Sequence, residues 1–178
     1  MCVREYYLQS LKEKGYVADE AQSMAIDRLQ KAEDDWTVYV SSQRNVFKKL
    51  FQRVEPPKGV YMWGGVGRGK SFLMDSFYNS VQVDKKIRLH FHEFMHEVHV
   101  QLDALKGVEN PLDEVAKRIA QKYQLICFDE FHVSDIADAM ILYNLLKGLY
   151  DRHVSFIMTS NYAPDTLYPD GLHRDRIL

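Results

Sequence analysis

Cysteine is nearly absent: two in 178 residues are too few to staple a fold. Cys2 lies at the amino-terminal edge and Cys127 sits inside an apolar run, so no disulfide framework is expected and the chain reads as a reduced, cytoplasmic protein. Proline is scarce too, five in all, and two of them stand together in "EPPKG" at 55–59. No apolar run is long enough to cross a bilayer. The opening "MCVREYYLQSLKEKGY" carries charge throughout where a secretory signal needs an apolar centre, and Glu5 and Glu13 count against an acid-poor transit peptide. Neither sign of charge dominates. The formal net charge of −2 gives no general attraction to nucleic acid or acidic membranes. What is present is ordinary globular composition, 46% hydrophobic and 27% charged, in a length that suits one domain with a small appendage.

Residues 3 to 50 are expected to be largely helical. Asp19 is placed to cap "EAQSMAIDRLQKAEDDW", whose imperfect stripe runs through Ala21, Met24, Ala25 and Arg28 with the apolar pair Ile26 and Leu29 beside it. A second helix, "WTVYVSSQRNVFKKLFQRV", repeats the pattern with Val40, Val46, Phe47 and Leu50. Pro56 and Pro57 then break the chain, because they lack backbone donors and bias the residue before them away from helix. The expected division is a helical region over 1–55 and a second unit over 56–178.

In that second unit strands alternate with helices. "GVYMW", "KIRLHFH", "QLICFD" and "VSFIMTSN" read as strands, and the uninterrupted apolar run before Asp129 suits a strand buried on both faces. Between them lie the helices "SFLMDSFYNSV", two segments near 93–106 and 111–122, and "DIADAMILYNLLKGLY", with Ile136, Met140, Tyr143 and Leu146 along one side. The repeated order predicts an α/β fold, a parallel sheet sandwiched by helices.

"GGVGRGKS", Gly64 to Ser71, matches G-x-x-x-x-G-K-[ST] between a predicted strand and a predicted helix. Such a loop turns successive backbone N–H groups toward phosphate oxygens at a helix N-terminus. Gly64, Gly65, Val66, Gly67, Arg68, Gly69, Lys70, Ser71 and Phe72 are the candidate residues for binding a nucleotide's phosphates. Lys70 would reach the β- and γ-phosphates and Ser71 would hold Mg²⁺; Arg68 receives no catalytic role. A glycine-rich turn that binds nothing is the bland alternative, and the flanking elements with the next motif argue against it.

"LICFDE" delivers Asp129 and Glu130 to the carboxyl edge of the sheet, where open α/β folds bind ligands. Asp129 can orient Mg²⁺, and Glu130 can accept a proton from an attacking water. Capping the helix that follows is their plainer use. Asn161 ends the last strand and can hydrogen-bond a lytic water and a γ-phosphate oxygen; a turn residue is its alternative.

A competing signal sits in "HFHEFMHEVH". His92, Glu93 and His96 spell H-E-x-x-H, a zinc-peptidase pattern when it lies on one helix. His92 is expected to close a strand, which spoils that geometry, and a third ligand is not evident, although Glu114 and His132 are available. A nucleotide-gated binding module without turnover is the other class to keep in view.

The wording goes further than generic motifs. "GVYMWGGVGRGKSFLMDSFY", "RLHFHEFMHEVH", "ICFDEFHVSDIADAMIL", "TSNYAPDTLY", "GLHRDRIL" and the lead-in "GYVADEAQSMAIDRLQ" resemble the ZapE family of AAA+ ATPases over nearly the whole chain. That resemblance implies an ASCE-type P-loop core with strand order 5-1-4-3-2, Mg²⁺-dependent ATP hydrolysis, and assembly into a homo-oligomeric ring. It also implies a protein partner, FtsZ in the bacterial members, rather than nucleic acid. By the same resemblance Lys70 and Ser71 fall on the Walker A motif, Asp129 and Glu130 on Walker B, and Asn161 on sensor 1. Arg174 or Arg176 would be a finger reaching a neighbouring subunit, with a solvated pairing to Asp175 as the plain alternative. The family continues into a fifth strand and a helical lid, so the core over 56–178 is expected to be incomplete and a monomer to hydrolyse ATP slowly.

Overall fold

A computed structural model describes residues 1–15, 17, 19–45, 54–65 and 69–164. Val46, Phe47, Leu50, Val66, Gly67, Arg68, Arg174 and Arg176 lie outside the described residues.

Two helices open the chain, α1 (Val3–Lys14) and α2 (Glu20–Arg44). Asp19 caps α2 as expected, its carboxylate accepting from the Gln22 amide at 2.7 Å. Two helices were expected where α2 runs on through Trp36. No glycine or proline interrupts Glu20–Arg44, and the Thr37 hydroxyl donates to the Glu33 carbonyl at 3.0 Å across the expected break. The buried face is also not the one built on Met24 and Arg28. Met24 is 66% exposed, while Ile26, Leu29, Ala32, Trp36 and Tyr39 form the inner stripe at helical spacing. Glu33, buried among them, accepts from the Val3 amide at 2.8 Å and so pins the first turn of α1 to α2.

Four strands follow, alternating with helices: β1 (Val60–Trp63), α3 (Lys70–Ser80), β2 (Lys86–His90), α4 (Phe91–Ala104), α5 (Pro111–Lys122), β3 (Leu125–Asp129), α6 (Ile136–Asp151) and β4 (Ser155–Ser160). They form one sheet in the order β1-β4-β3-β2, every neighbouring pair parallel. This is the α/β architecture expected, in the order implied for these four strands. Entry to β1 depends on Gly59, where a Cβ would stand 2.5 Å from the Phe156 carbonyl oxygen.

Side-chain alternation along β3 sorts the core into two layers. Leu125 and Cys127 pack with α1, α2 and α3, including Leu29, Trp36, Met74 and Phe77. Ile126 and Phe128 face the other way, among Phe94, Val98, Val115, Leu142 and Leu145 from α4, α5 and α6. The amino-terminal helices therefore share a core with the sheet.

Two details correct the sequence reading. The expected inward side of α6 is largely outward: Ile136 and Met140 are 56% and 59% exposed, and Leu142, Leu145 and Leu149 make the core contact. The Leu stripe wins because it lies over α5, where Gly148 lets the helices approach so closely that a Cβ would sit 3.1 Å from that of Ala116. The second is at β2, which ends at His90 with Phe91 already helical. Phe91 turns inward there to meet Phe128 and Phe131, at 5.8 and 4.6 Å between ring centres, and this burial starts α4 two residues early.

Candidate nucleotide site

The strand ends and the loop after β1 meet at one edge of the sheet. The Gly64 amide donates to the Ser160 carbonyl at 3.2 Å, which ties the start of the loop to the end of β4. The loop closes at Gly69, in the left-handed region at φ 74°, and α3 begins directly after it. Lys70 Nζ donates back to the carbonyls of Gly64 (2.7 Å) and Gly65 (2.9 Å), holding a positive charge across the loop mouth. Ser71 is exposed in the first turn of α3.

At the end of β3, Asp129 is 8% exposed and does not stand alone. Arg88, from the middle of β2, donates from Nε to Oδ2 at 2.6 Å and from Nη2 to Oδ1 at 3.2 Å. Its remaining nitrogen, Nη1, binds Asp75 on α3. A two-point arginine fork fixes the direction of the carboxylate more firmly than a single contact could. Arginine within "KIRLHFH" was the only sequence signal of this partner, and the strand reading passed over it.

The chain then turns sharply. Glu130 has φ 55°, a left-handed conformation that L side chains adopt at a cost of about 1–3 kcal/mol. Thr159 supports it, the hydroxyl accepting from the Glu130 amide at 3.2 Å and the carbonyl from the Phe131 amide at 2.7 Å. Ser160 Oγ donates to the Phe131 carbonyl at 2.6 Å. These bonds lock the β3 and β4 ends together and leave the Glu130 side chain outward, with His90 Nδ1 at 3.9 Å from its Oε2.

The result is an open cavity of about 750 Å³ that brings Gly69, Lys70, Ser71, Phe72, Glu130 and Asn161 to one wall. Gly64 and Gly65 line a second hollow of about 660 Å³ on the other side of Lys70. Asp129 lies behind the wall, on Arg88. The cavity size, the lysine across its mouth and the hydroxyl and carboxylates at its edge fit a nucleotide triphosphate with its magnesium. Residues of α1 and α2 complete the cavity, Gln22 among them, which sequence reasoning missed because nothing local marks a helix-surface glutamine as lining a distant loop.

The histidine-rich stretch fares differently. His92, Glu93 and His96 do lie on one continuous helix, α4, contrary to expectation, and all three are exposed. Among the described residues no three His, Cys, Asp or Glu side chains gather as a metal site. Glu114 pairs with Arg118 at 2.9 Å and His132 stacks on Tyr162 at 4.5 Å between ring centres. Cys127 is equally unsuited to chemistry: burial pushes its thiol up to about 12. Among the described residues no helix is long and apolar enough to cross a membrane.

The chain is similar to known proteins over most of its length. The cell division protein ZapE of Escherichia coli K12 is 43% identical over 183 aligned positions, which span 97% of this chain and 49% of that protein. Lactation elevated protein 1 homolog B of Danio rerio is 42% identical, with 76% of this chain and 29% of that protein aligned. The chain thus spans about half the length, or less, of these curated relatives. Domain III of the Thermotoga maritima replication initiation protein DnaA superposes with a TM-score of 0.58 at 15% identity, over 92% of this chain and 61% of that one. DnaI superposes at 0.54 and 14% identity, over 89% and 76%. Such low identity shows the fold alone, which is that of P-loop AAA+ proteins. The model of the AFG1-like ATPases matches residues 1–178, from the helical lead-in through the loop and strand ends just described, and the chain belongs to that family.

Proposed function

We propose that this chain is the nucleotide-hydrolysing part of a Mg²⁺-dependent ATPase that acts on a protein partner in cell division. The observation that carries the reading is the convergence of Lys70, Ser71, Glu130 and Asn161 on one cavity at the carboxyl edge of a parallel sheet.

Each group then has a task. The amides of the loop from Gly64 and the start of α3 receive phosphate oxygens, and Lys70 exchanges its two carbonyl partners for the β- and γ-phosphates. Ser71 and Asp129 would hold Mg²⁺, which neutralises charge on the phosphates when bound. Arg88 keeps Asp129 aimed. Glu130, exposed and held by its left-handed turn, takes the proton from an attacking water. Asn161 hydrogen-bonds that water and a γ-phosphate oxygen, which sets the line of attack.

The process comes from a relative: the Escherichia coli protein is named for cell division, and FtsZ is the partner we assign in a bacterial setting. The proposed organisation is a helical region over 1–55 and an AAA+ core over 56–178, in a cytoplasmic homo-oligomeric ring. Arg174 or Arg176 would supply transition-state charge to a neighbouring subunit's γ-phosphate.

Nucleotide binding and phosphate release, measured on wild type, Lys70→Ala and Glu130→Gln, test the reading. Lys70→Ala should lose ATP binding. Glu130→Gln should bind ATP and lose hydrolysis by about 100-fold or more. Tight ATP binding without release by wild type at any concentration would make the chain a nucleotide-gated binding module instead.

A further inference from the structure

The cavity has a second wall. Besides Glu130 and Asn161 the cavity is lined by Leu11, Lys14, Val17 and Gln22 from the amino-terminal segment and by Phe72 of α3. If phosphates occupy the loop, the base and ribose must leave toward one of the walls beside α3, and this one is apolar enough to take a flat ring. Phe72 is half-buried against the Tyr7 ring, 5.3 Å between centres, and Lys14 Nζ lies 4.9 Å over its face.

Gln22 is held there by its own contacts. Its amide is fixed on Asp19 at 2.7 Å, and its side-chain Oε1 accepts from the Tyr7 hydroxyl at 2.8 Å. Nε2 faces the loop so closely that a Cβ on Gly69 would stand 2.8 Å from it. The residue lines both hollows flanking Lys70 and partitions them. Tyr7 is 3% exposed, and burial, with the nearby Asp19 charge second, raises its phenol, so it remains a donor across the physiological range. With the Tyr7 hydroxyl donating to Oε1, Nε2 is the arm turned toward Gly69.

We propose that Gln22, oriented by Tyr7, is the base-reading residue of this site and selects adenine over guanine. This deepens the ATPase reading above and rests on it. A carboxamide presents a donor and an acceptor side by side. Adenine matches that pair with N6–H and N7, and the carboxamide oxygen has a second lone pair to accept N6–H beside the Tyr7 bond. Guanine offers two acceptors, O6 and N7, on the corresponding edge, and one arm of the carboxamide would face its like. Its Watson–Crick edge carries O6 and then two adjacent donors, N1–H and N2–H; the two donors suit a carboxylate, so the discrimination by Gln22 rests on the N7 edge facing it.

The test is equilibrium binding of ribose-labelled fluorescent ATP and GTP, with Mg²⁺, to the whole chain. Wild type should prefer ATP by about 10-fold or more, the size of one good paired contact. Gln22→Ala should weaken ATP by about that factor and leave GTP unchanged, so the preference collapses. Gln22→Glu, similar in volume, should move the preference toward GTP, and Tyr7→Phe should lose part of it. Loss of ATP and GTP affinity in equal measure by both Gln22 variants, or a preference that neither variant moves, overturns the assignment while the ATPase reading stands. Wild type that binds neither nucleotide, or Lys70→Ala that binds both as wild type does, overturns the phosphate-loop reading and this inference with it.

Discussion

Arg88 holds Asp129 from one strand away, 2.6 Å from Nε to Oδ2, although the two residues are 41 positions apart in sequence. The same guanidinium binds Asp75 on the helix that follows the glycine loop. One cation therefore links the edge strand, the central strand and α3 beneath the proposed phosphate site.

Asp129 is largely buried while Asp75 is 44% exposed, so removing the cation leaves the Asp129 carboxylate buried without compensation. Arg88→Met should destabilise the chain by about 3–5 kcal/mol, and Arg88→Lys, which lacks the fork, should recover only part of that. Urea unfolding of the two variants beside wild type measures it; equal midpoints for all three would remove the structural role given to Arg88.

Glu130 is the converse case, strained in its backbone while its side chain is the proposed proton acceptor. Glu130→Gly should relieve the left-handed turn and raise stability by about 1 kcal/mol while abolishing hydrolysis. Thermal unfolding and phosphate release are read on the same sample. A lower melting temperature would mean that the turn carries no strain.

Gly59 has no room for a side chain. The Cβ of Gly59→Ala would meet the Phe156 carbonyl at 2.5 Å, and backbone oxygen in a central strand cannot step aside. A loss of about 1–3 kcal/mol in chemical denaturation is expected, and an unchanged midpoint would contradict the packing at the entry to β1.

Cys127 gives a pH prediction with a definite sign. Burial raises its thiol from the ordinary 9.0 to about 12, so above pH 9 the unfolded chain ionises it before the folded one does. Its contribution to stability is complete below pH 9 and is lost as pH rises toward 12. Cys127→Ala should flatten that part of the stability profile. A thiol reagent at pH 8 should label Cys2 promptly and Cys127 only through unfolding, and fast labelling of both would argue against the buried placement.

The fold was legible where one local pattern dictated one environment. "QLICFD" is apolar at every core position and is buried on both faces, and the glycine loop lies between strand and helix as its spacing demands. Choices between two apolar stripes were not legible, because both sides of α2 and of α6 carry large side chains. The partner surface decides: α5 and the sheet take Leu142, Leu145 and Leu149 and leave Ile136 and Met140 outside. Lys70, Ser71, Glu130 and Asn161, which line one cavity, were readable as candidates because each sits at a motif or a strand end. Arg88 and Gln22 were not, since each acts across a distance in sequence that only the folded chain closes. The H-E-x-x-H match shows the converse, a correct spacing on a real helix with no gathered third ligand among the described residues.

The most direct test of the central claim is phosphate release from ATP as protein concentration rises, for wild type beside Glu130→Gln, Arg174→Ala and Arg176→Ala, with ATP binding followed in parallel. The account predicts slow release by dilute wild type and a rate per chain that climbs with concentration. One arginine variant should lose that climb, and Glu130→Gln should bind ATP and release about 100-fold less phosphate. Release by Glu130→Gln at the wild-type rate would contradict it.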